Sequence, residues 1–267
     1  MDRRDWVVLA LITIAGLILR LLLWKTQSIP SVDGTAYLRM AMQLAGGPAV
    51  ESVHQYGYPV LVRLAHFVIP DWVTAARVLA LVTGVLFIPS LGWLSAAFVG
   101  NRFLRCLPAI AAAATPLMVR YSLTTMTEMP YFLLMAIGLG LAARRRALGA
   151  GIVFGLAYAI RPEGLLVAVV AAAFIALVNR RPKEAAALLA GTALIVAPYV
   201  ATIGVTQGKW TLTPKSLNIA PGTWEAAEEQ AGESHAARSV AERVERYGGE
   251  TARLYPKNAG DVLMQLG

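Results

Sequence analysis

Two acids and a small set of cations carry the chemistry available to this sequence. Asp33 lies in Ser28-Ile-Pro-Ser-Val-Asp33-Gly-Thr-Ala-Tyr37, just after an apolar run that ends at Trp24. Tyr37 follows four residues later, so a helix starting here carries both on one face. Glu128 lies in Thr124-Thr-Met-Thr-Glu128-Met-Pro130-Tyr131, at the mouth of another apolar run. Arg161 and Glu163 share Arg161-Pro-Glu-Gly164, and Lys209 and Lys215 follow the last apolar run. A carboxylate at a membrane surface suits a general base, and cations beside it suit a phosphate. Together they fit a reaction on a lipid-borne phosphate, with one acid taking the proton of an incoming hydroxyl.

Each residue also has a structural reading. Asp33 is of the type that caps a following helix. Glu128 suits the first turn of a helix with Pro130 at an early position. Arg161 and Glu163 can pair with each other. Arg39 and Arg63 fit interface anchors, and Tyr56 and Tyr58 an aromatic belt. His54 and His66, with Glu51, lack the spacing of a zinc site, so no metal ligand is assigned.

The elements that position these residues are apolar helices. Of the 267 residues, 57% are hydrophobic and 15% charged, where soluble domains carry about a quarter charged. This is the composition of an all-α, polytopic membrane protein. The net charge of +8 reads as loop arginines facing an anionic leaflet. No pattern of basic residues with interleaved aromatics points to nucleic acid. The single cysteine, Cys106, rules out an intrachain disulfide. Trp6–Trp24 reads as a retained first span, with Arg20 one turn inside it, snorkelling to the interface or facing a cavity. Residues 25–71 form a long loop holding amphipathic pieces at Tyr37–Leu44 and Leu61–Ile69. A second span covers Val73–Val99. Shorter runs follow at Leu107–Val119, Met129–Ala143, Ala147–Ile160 and Gly164–Val178, and Ala185–Val205 closes the set.

If these spans alternate, Arg3, Arg4, Arg102, Arg105, Arg144, Arg145, Arg146, Arg180, Arg181 and Lys183 fall on one side. That side is then cytoplasmic. The expectation is a bundle of about seven spans over 1–206 with the N-terminus inside. The Asp33, Glu128 and Arg161 linkers lie outside, followed by a mostly helical extracytoplasmic tail over 207–267.

Read in order, the Asp33 loop with Tyr37, the Tyr56-Gly-Tyr58-Pro59 stretch, Thr127-Glu128-Met-Pro130-Tyr131, Arg161-Pro-Glu-Gly164 and Gly208-Lys209-Trp210…Lys215-Ser-Leu-Asn218 resemble a family. It is the polytopic glycosyltransferases of the GT-C fold, in the branch of the protein O-mannosyltransferases and the lipid A aminoarabinose transferase. The resemblance implies transfer of a sugar, with inversion, from a polyprenyl-phosphate donor to a lipid, glycan or protein acceptor outside the cytoplasm of a bacterial inner membrane. It implies Asp33 as the catalytic carboxylate and Glu128 as a second-loop acid near the acceptor or a divalent cation. Arg161, Lys209 and Lys215 become donor-phosphate contacts, and Tyr37, Tyr58, Arg63 and Glu163 complete the candidate substrate-binding set. Many relatives carry a second acid directly after the first; here that position is Gly34. Relatives also have more spans, so the chain reads as a fragment or a minimal form. The rival reading is a transporter or accessory subunit for lipid-linked envelope precursors. Such proteins place charges near the midplane on broken helices, whereas these acids lie in linkers.

Overall fold

Long unbroken stretches of Leu, Ile, Val, Ala and Gly leave helix as the backbone's way of satisfying its own hydrogen bonds in an apolar setting. In the computed structural model, which describes residues 1–26, 31–47, 54–207 and 212, every extended element is helical and no strand occurs among the described residues. The helices are α1 (Arg3–Leu22), α2 (Val32–Gln43), α3 (Gly57–His66), α4 (Trp72–Ser95), α5 (Arg102–Ala114), α6 (Pro116–Tyr121), α7 (Glu128–Ala143), α8 (Ala147–Ile160), α9 (Glu163–Leu177) and α10 (Pro182–Gln207). The chain divides into two compact units, Met1–Ala201 and Thr202–Gly267; α1 to α9 and α10 as far as Ala201 belong to the first. The expected helical tail lies outside the described residues beyond Gln207, Leu212 excepted.

Among the described residues, three helices are long and apolar enough to cross a membrane: Arg3–Leu22, Trp72–Ser95 and Pro182–Val205. At a rise of about 1.5 Å per residue such helices match a hydrocarbon core of about 30 Å. Helices α7, α8 and α9 are apolar but shorter. Leu11, Ile14, Ile18 and Leu22 of α1 stay exposed along one side, the face expected to meet lipid tails. α4 packs on α1, α5 and α7, and α7 also packs on α8. Thr192 of α10 donates to the Gly151 carbonyl of α8.

The linkers gather at two ends. At one, Asp5 joins Arg102 at 3.1 Å and Arg105 at 3.3 Å, placing the start of α1 beside the start of α5. Arg144 stacks on the Trp93 ring and donates to its carbonyl near the end of α4. Arg145 pairs with Glu184 in the first turn of α10 at 2.6 Å. The arginines expected on one side therefore share one end of the bundle. At the other, Arg77 of α4 donates to the Leu123 carbonyl at 3.3 Å and to the Trp24 carbonyl, and lies over the Trp24 ring.

Two expectations are corrected. The apolar run Leu107–Val119 is not one segment: it breaks at Thr115, which is extended, between α5 and α6. Pro116 has no N–H to give the Ala112 carbonyl four residues back. Arg20 supplies the missing donor, with Nη2 2.9 Å from the Ala112 carbonyl and Nη1 3.1 Å from that of Ala113 and 3.0 Å from that of Gly16. Arg20 is fully buried, so it neither snorkels nor faces a cavity. It closes the broken backbone of a neighbouring helix.

Candidate functional site

The linker after α1 leads into α2, which Ser31 begins as its N-cap, its hydroxyl accepting from the Gly34 amide at 3.0 Å. Asp33 is thus not the cap that its residue type suggests; it sits in the first turn, exposed. A first-turn carboxylate still faces the positive end of the helix dipole. The Ser31 hydroxyl also donates to Met126 Sδ at 2.9 Å, tying α2 to the linker before α7. Gly34 makes that approach possible. A Cβ placed there would lie 2.0 Å from Thr125 Oγ1 and 2.8 Å from the Thr125 carbonyl. A side chain at position 34 would therefore require the Thr125 linker to shift.

Glu128 opens α7, and its Oε1 accepts from Arg161 Nη1 at 3.0 Å. Arg161 ends α8 in extended conformation. Its Nη1 also reaches Thr127 Oγ1 at 3.4 Å, and its Nη2 reaches Glu163 Oε1 at 3.5 Å. Its guanidinium lies 5.7 Å from the Tyr131 ring centre. Burial pulls the Arg161 pKa down, but Glu163 and Glu128 outweigh it and hold the guanidinium above its ordinary value. Arg161 reaches the site already paired.

Tyr37 joins the two linkers. Its side chain is buried, it shares a hydrogen bond with Thr127, and its hydroxyl feels the charges of Asp33, Arg161 and Glu128 together. Burial is the main reason its phenol is held above the ordinary pKa. Tyr58 meets it edge-on, with ring centres 5.2 Å apart. Tyr58 is no belt residue: it is fully buried, and burial, with Tyr37 and Glu128 nearby, pushes its phenol far up. The start of α3 sits close on the end of α8, since a Cβ on Gly57 would lie 2.4 Å from the Ala159 carbonyl. Nearby, the Tyr199 hydroxyl accepts from the Tyr56 amide at 3.0 Å and donates to Gln55 Oε1.

Asp33, Tyr37, Tyr58, Glu128, Arg161 and Glu163 are thus one neighbourhood. Arg63 is held elsewhere, its guanidinium 4.4 Å from the Phe67 ring centre on α3. Lys209 and Lys215 lie outside the described residues. Glu128 Oε2, the Tyr58 hydroxyl, Thr124 Oγ1 and Thr125 Oγ1 are buried without a hydrogen-bond partner among the described residues. Buried polar atoms are normally paired, so these four have hydrogen-bonding capacity left for water or a polar ligand. No trio of His, Cys, Asp or Glu able to hold a metal gathers among the described residues, and Glu51 lies outside them.

One positioning residue was not legible. Arg77 fixes the end of α1 and the linker at Leu123 together, yet in sequence it is a lone arginine near the start of an apolar run. Set against protein-family models, curated proteins and solved structures, the chain finds no match in any of the three. The functional reading rests on the site itself.

Proposed function

We propose that the chain is a membrane glycosyltransferase that moves a sugar from a polyprenyl-phosphate donor to an extracytoplasmic hydroxyl, with inversion. The observation that carries this reading is the packing of the Asp33 turn against the start of α7: Ser31 donates to Met126 at 2.9 Å and Gly34 abuts Thr125, two and three residues from Glu128, which pairs with Arg161 at 3.0 Å. In this reading seven segments span the bilayer: α1, α4, α5 with α6, α7, α8, α9 and α10. The arginine-rich end faces the cytoplasm of a bacterial inner membrane, and the Asp33 end faces out.

Asp33 is the exposed acid of the neighbourhood without an arginine partner among the described residues, so it acts as the base. The acceptor oxygen attacks the anomeric carbon as Asp33 takes its proton. The bond from that carbon to the phosphate oxygen breaks, and polyprenyl phosphate leaves with the electron pair. A single displacement inverts the anomeric centre. The orphaned atoms of Glu128, Tyr58 and the two threonines receive hydroxyls of sugar or acceptor. Arg161 meets the phosphate by releasing Glu163, the longer and more exposed of its two pairs, at 3.5 Å and 50% exposed against 3.0 Å and 13% for Glu128. Lys209 and Lys215 are further phosphate contacts in this reading.

The test is transfer of labelled sugar from a polyprenyl-phosphate donor by purified protein in lipid. Wild type transfers, and Asp33→Asn does so about 10²–10⁴-fold more slowly. Movement of labelled carrier lipid across vesicles with no sugar transfer contradicts the reading and favours a transporter.

A further inference from the structure

At the opposite end of the bundle, the first turns of α8 and α10 frame an open groove of about 570 Å³ lined by Arg145, Arg146, Leu148, Lys183, Glu184 and Ala187 among others. We propose that this groove binds the phosphate headgroup of an anionic phospholipid. The site is separate from the proposed transfer chemistry and stands without it; it requires only that the bundle sits in a bilayer.

The two linkers here bring six cations, Arg144, Arg145, Arg146, Arg180, Arg181 and Lys183, to a single carboxylate, Glu184. Arg144 is taken up by the carbonyls of Gly140 and Trp93 and by the Trp93 ring. Glu184 is taken up by Arg145 at 2.6 Å and Arg181 at 3.9 Å. Arg146 and Lys183 line the groove, are exposed, and join no ion pair among the described residues. Two cations on facing elements suit one phosphate, because the one carboxylate lining the groove, Glu184, is already held by Arg145 and Arg181. The same groove carries apolar groups: Leu148 is 53% exposed, and Ala147 and Ala187 line the groove with it. A free anion has no use for that leucine, whereas a phospholipid lays an acyl chain on it. Basic pockets between helices at the cytoplasmic face are suited to anionic headgroups.

The experiment uses the full chain in detergent, titrated with phosphatidylglycerol, phosphatidylcholine or inorganic phosphate, and follows thermal unfolding. Phosphatidylglycerol is expected to raise the unfolding temperature, and the other two are not. Arg146→Gln with Lys183→Gln is expected to weaken that response at least about tenfold in lipid concentration. Lys25→Gln with Arg39→Gln, outside this groove, should leave it unchanged. Cross-linking of wild type with a headgroup-photoreactive phosphatidylglycerol gives a readout that needs no variant to fold, and should label residues 145–149 and 183–187. An unchanged response in the double variant, an equal response to phosphatidylcholine or to inorganic phosphate, or labelling elsewhere overturns the proposal.

Discussion

Gly34 meets Thr125 so closely that a Cβ on the glycine would lie 2.0 Å from the threonine hydroxyl. This contact welds the start of α2, which carries Asp33, to the linker that carries Glu128. Overfilling a packed contact costs about 1–3 kcal/mol. Gly34→Ala should lower the unfolding temperature in detergent, and Thr125→Ala in the same chain should restore only part of it. The Thr125 carbonyl, 2.8 Å from that Cβ, remains in the way. A Gly34→Ala protein as stable as wild type would show that the two linkers are not packed as described.

Arg20 and Pro116 form a second coupled pair. Arg20→Met leaves the carbonyls of Ala112 and Ala113 without the donor they now have, at a cost of roughly 1–3 kcal/mol for a buried group left unpaired. Adding Pro116→Ala supplies a backbone N–H that can bond Ala112, so the double variant should unfold at a higher temperature than Arg20→Met alone. Additive losses would mean that Arg20 acts through something other than the broken helix.

Several elements were legible because their signals are local. Ala147–Ile160 is an uninterrupted apolar run between Arg146 and Arg161-Pro162, and α8 has those bounds. The grouping of the arginine-rich linkers at one end followed from counting charges along alternating segments. What escaped was set by contacts distant in sequence. Arg20 has its partners 92 and 93 residues away, so its own surroundings in the chain gave no hint of them. Asp33 looked like a cap because Ser31, an equally good cap two residues earlier, could not be ranked above it by type. Tyr58 looked interfacial because nothing local shows that Tyr37 of α2 packs against it. The break at Thr115 was signalled by Pro116, but the apolar residues on both sides concealed it.

Asp71 caps α4, accepting from the Thr74 amide at 2.7 Å. Hydrogen bonds from the Thr74 side chain and amide hold its carboxyl below the ordinary 3.8. A depressed folded-state pKa adds stability above the unfolded value, and that contribution is lost as pH falls through the folded value. Wild type should therefore lose stability relative to Asp71→Asn as pH drops below about 3.8, while the two stay close at neutral pH, since Asn caps as well as Asp. Asp71→Ala should be weaker at neutral pH by roughly 0.5–2 kcal/mol. Unfolding temperatures across pH check this, and identical profiles for wild type and Asp71→Asn would contradict it.

Glu163 competes with the donor phosphate for Arg161 in the proposed chemistry. Glu163→Gln frees one side of the guanidinium, and an exposed pair of this kind contributes about 0.2–1 kcal/mol. The KM for a polyprenyl-phosphate sugar should fall by about 1.4- to fivefold with kcat little changed. A higher KM would mean that Glu163 itself holds the donor.

The role of Asp33 is the point on which the functional reading turns. The most direct measurement is the rate of sugar transfer from a polyprenyl-phosphate donor by Asp33→Asn, in a protein whose unfolding temperature matches wild type. A missing general base is expected to lower the rate by about 10²–10⁴-fold. Transfer at the wild-type rate would contradict the assignment of Asp33 as the base.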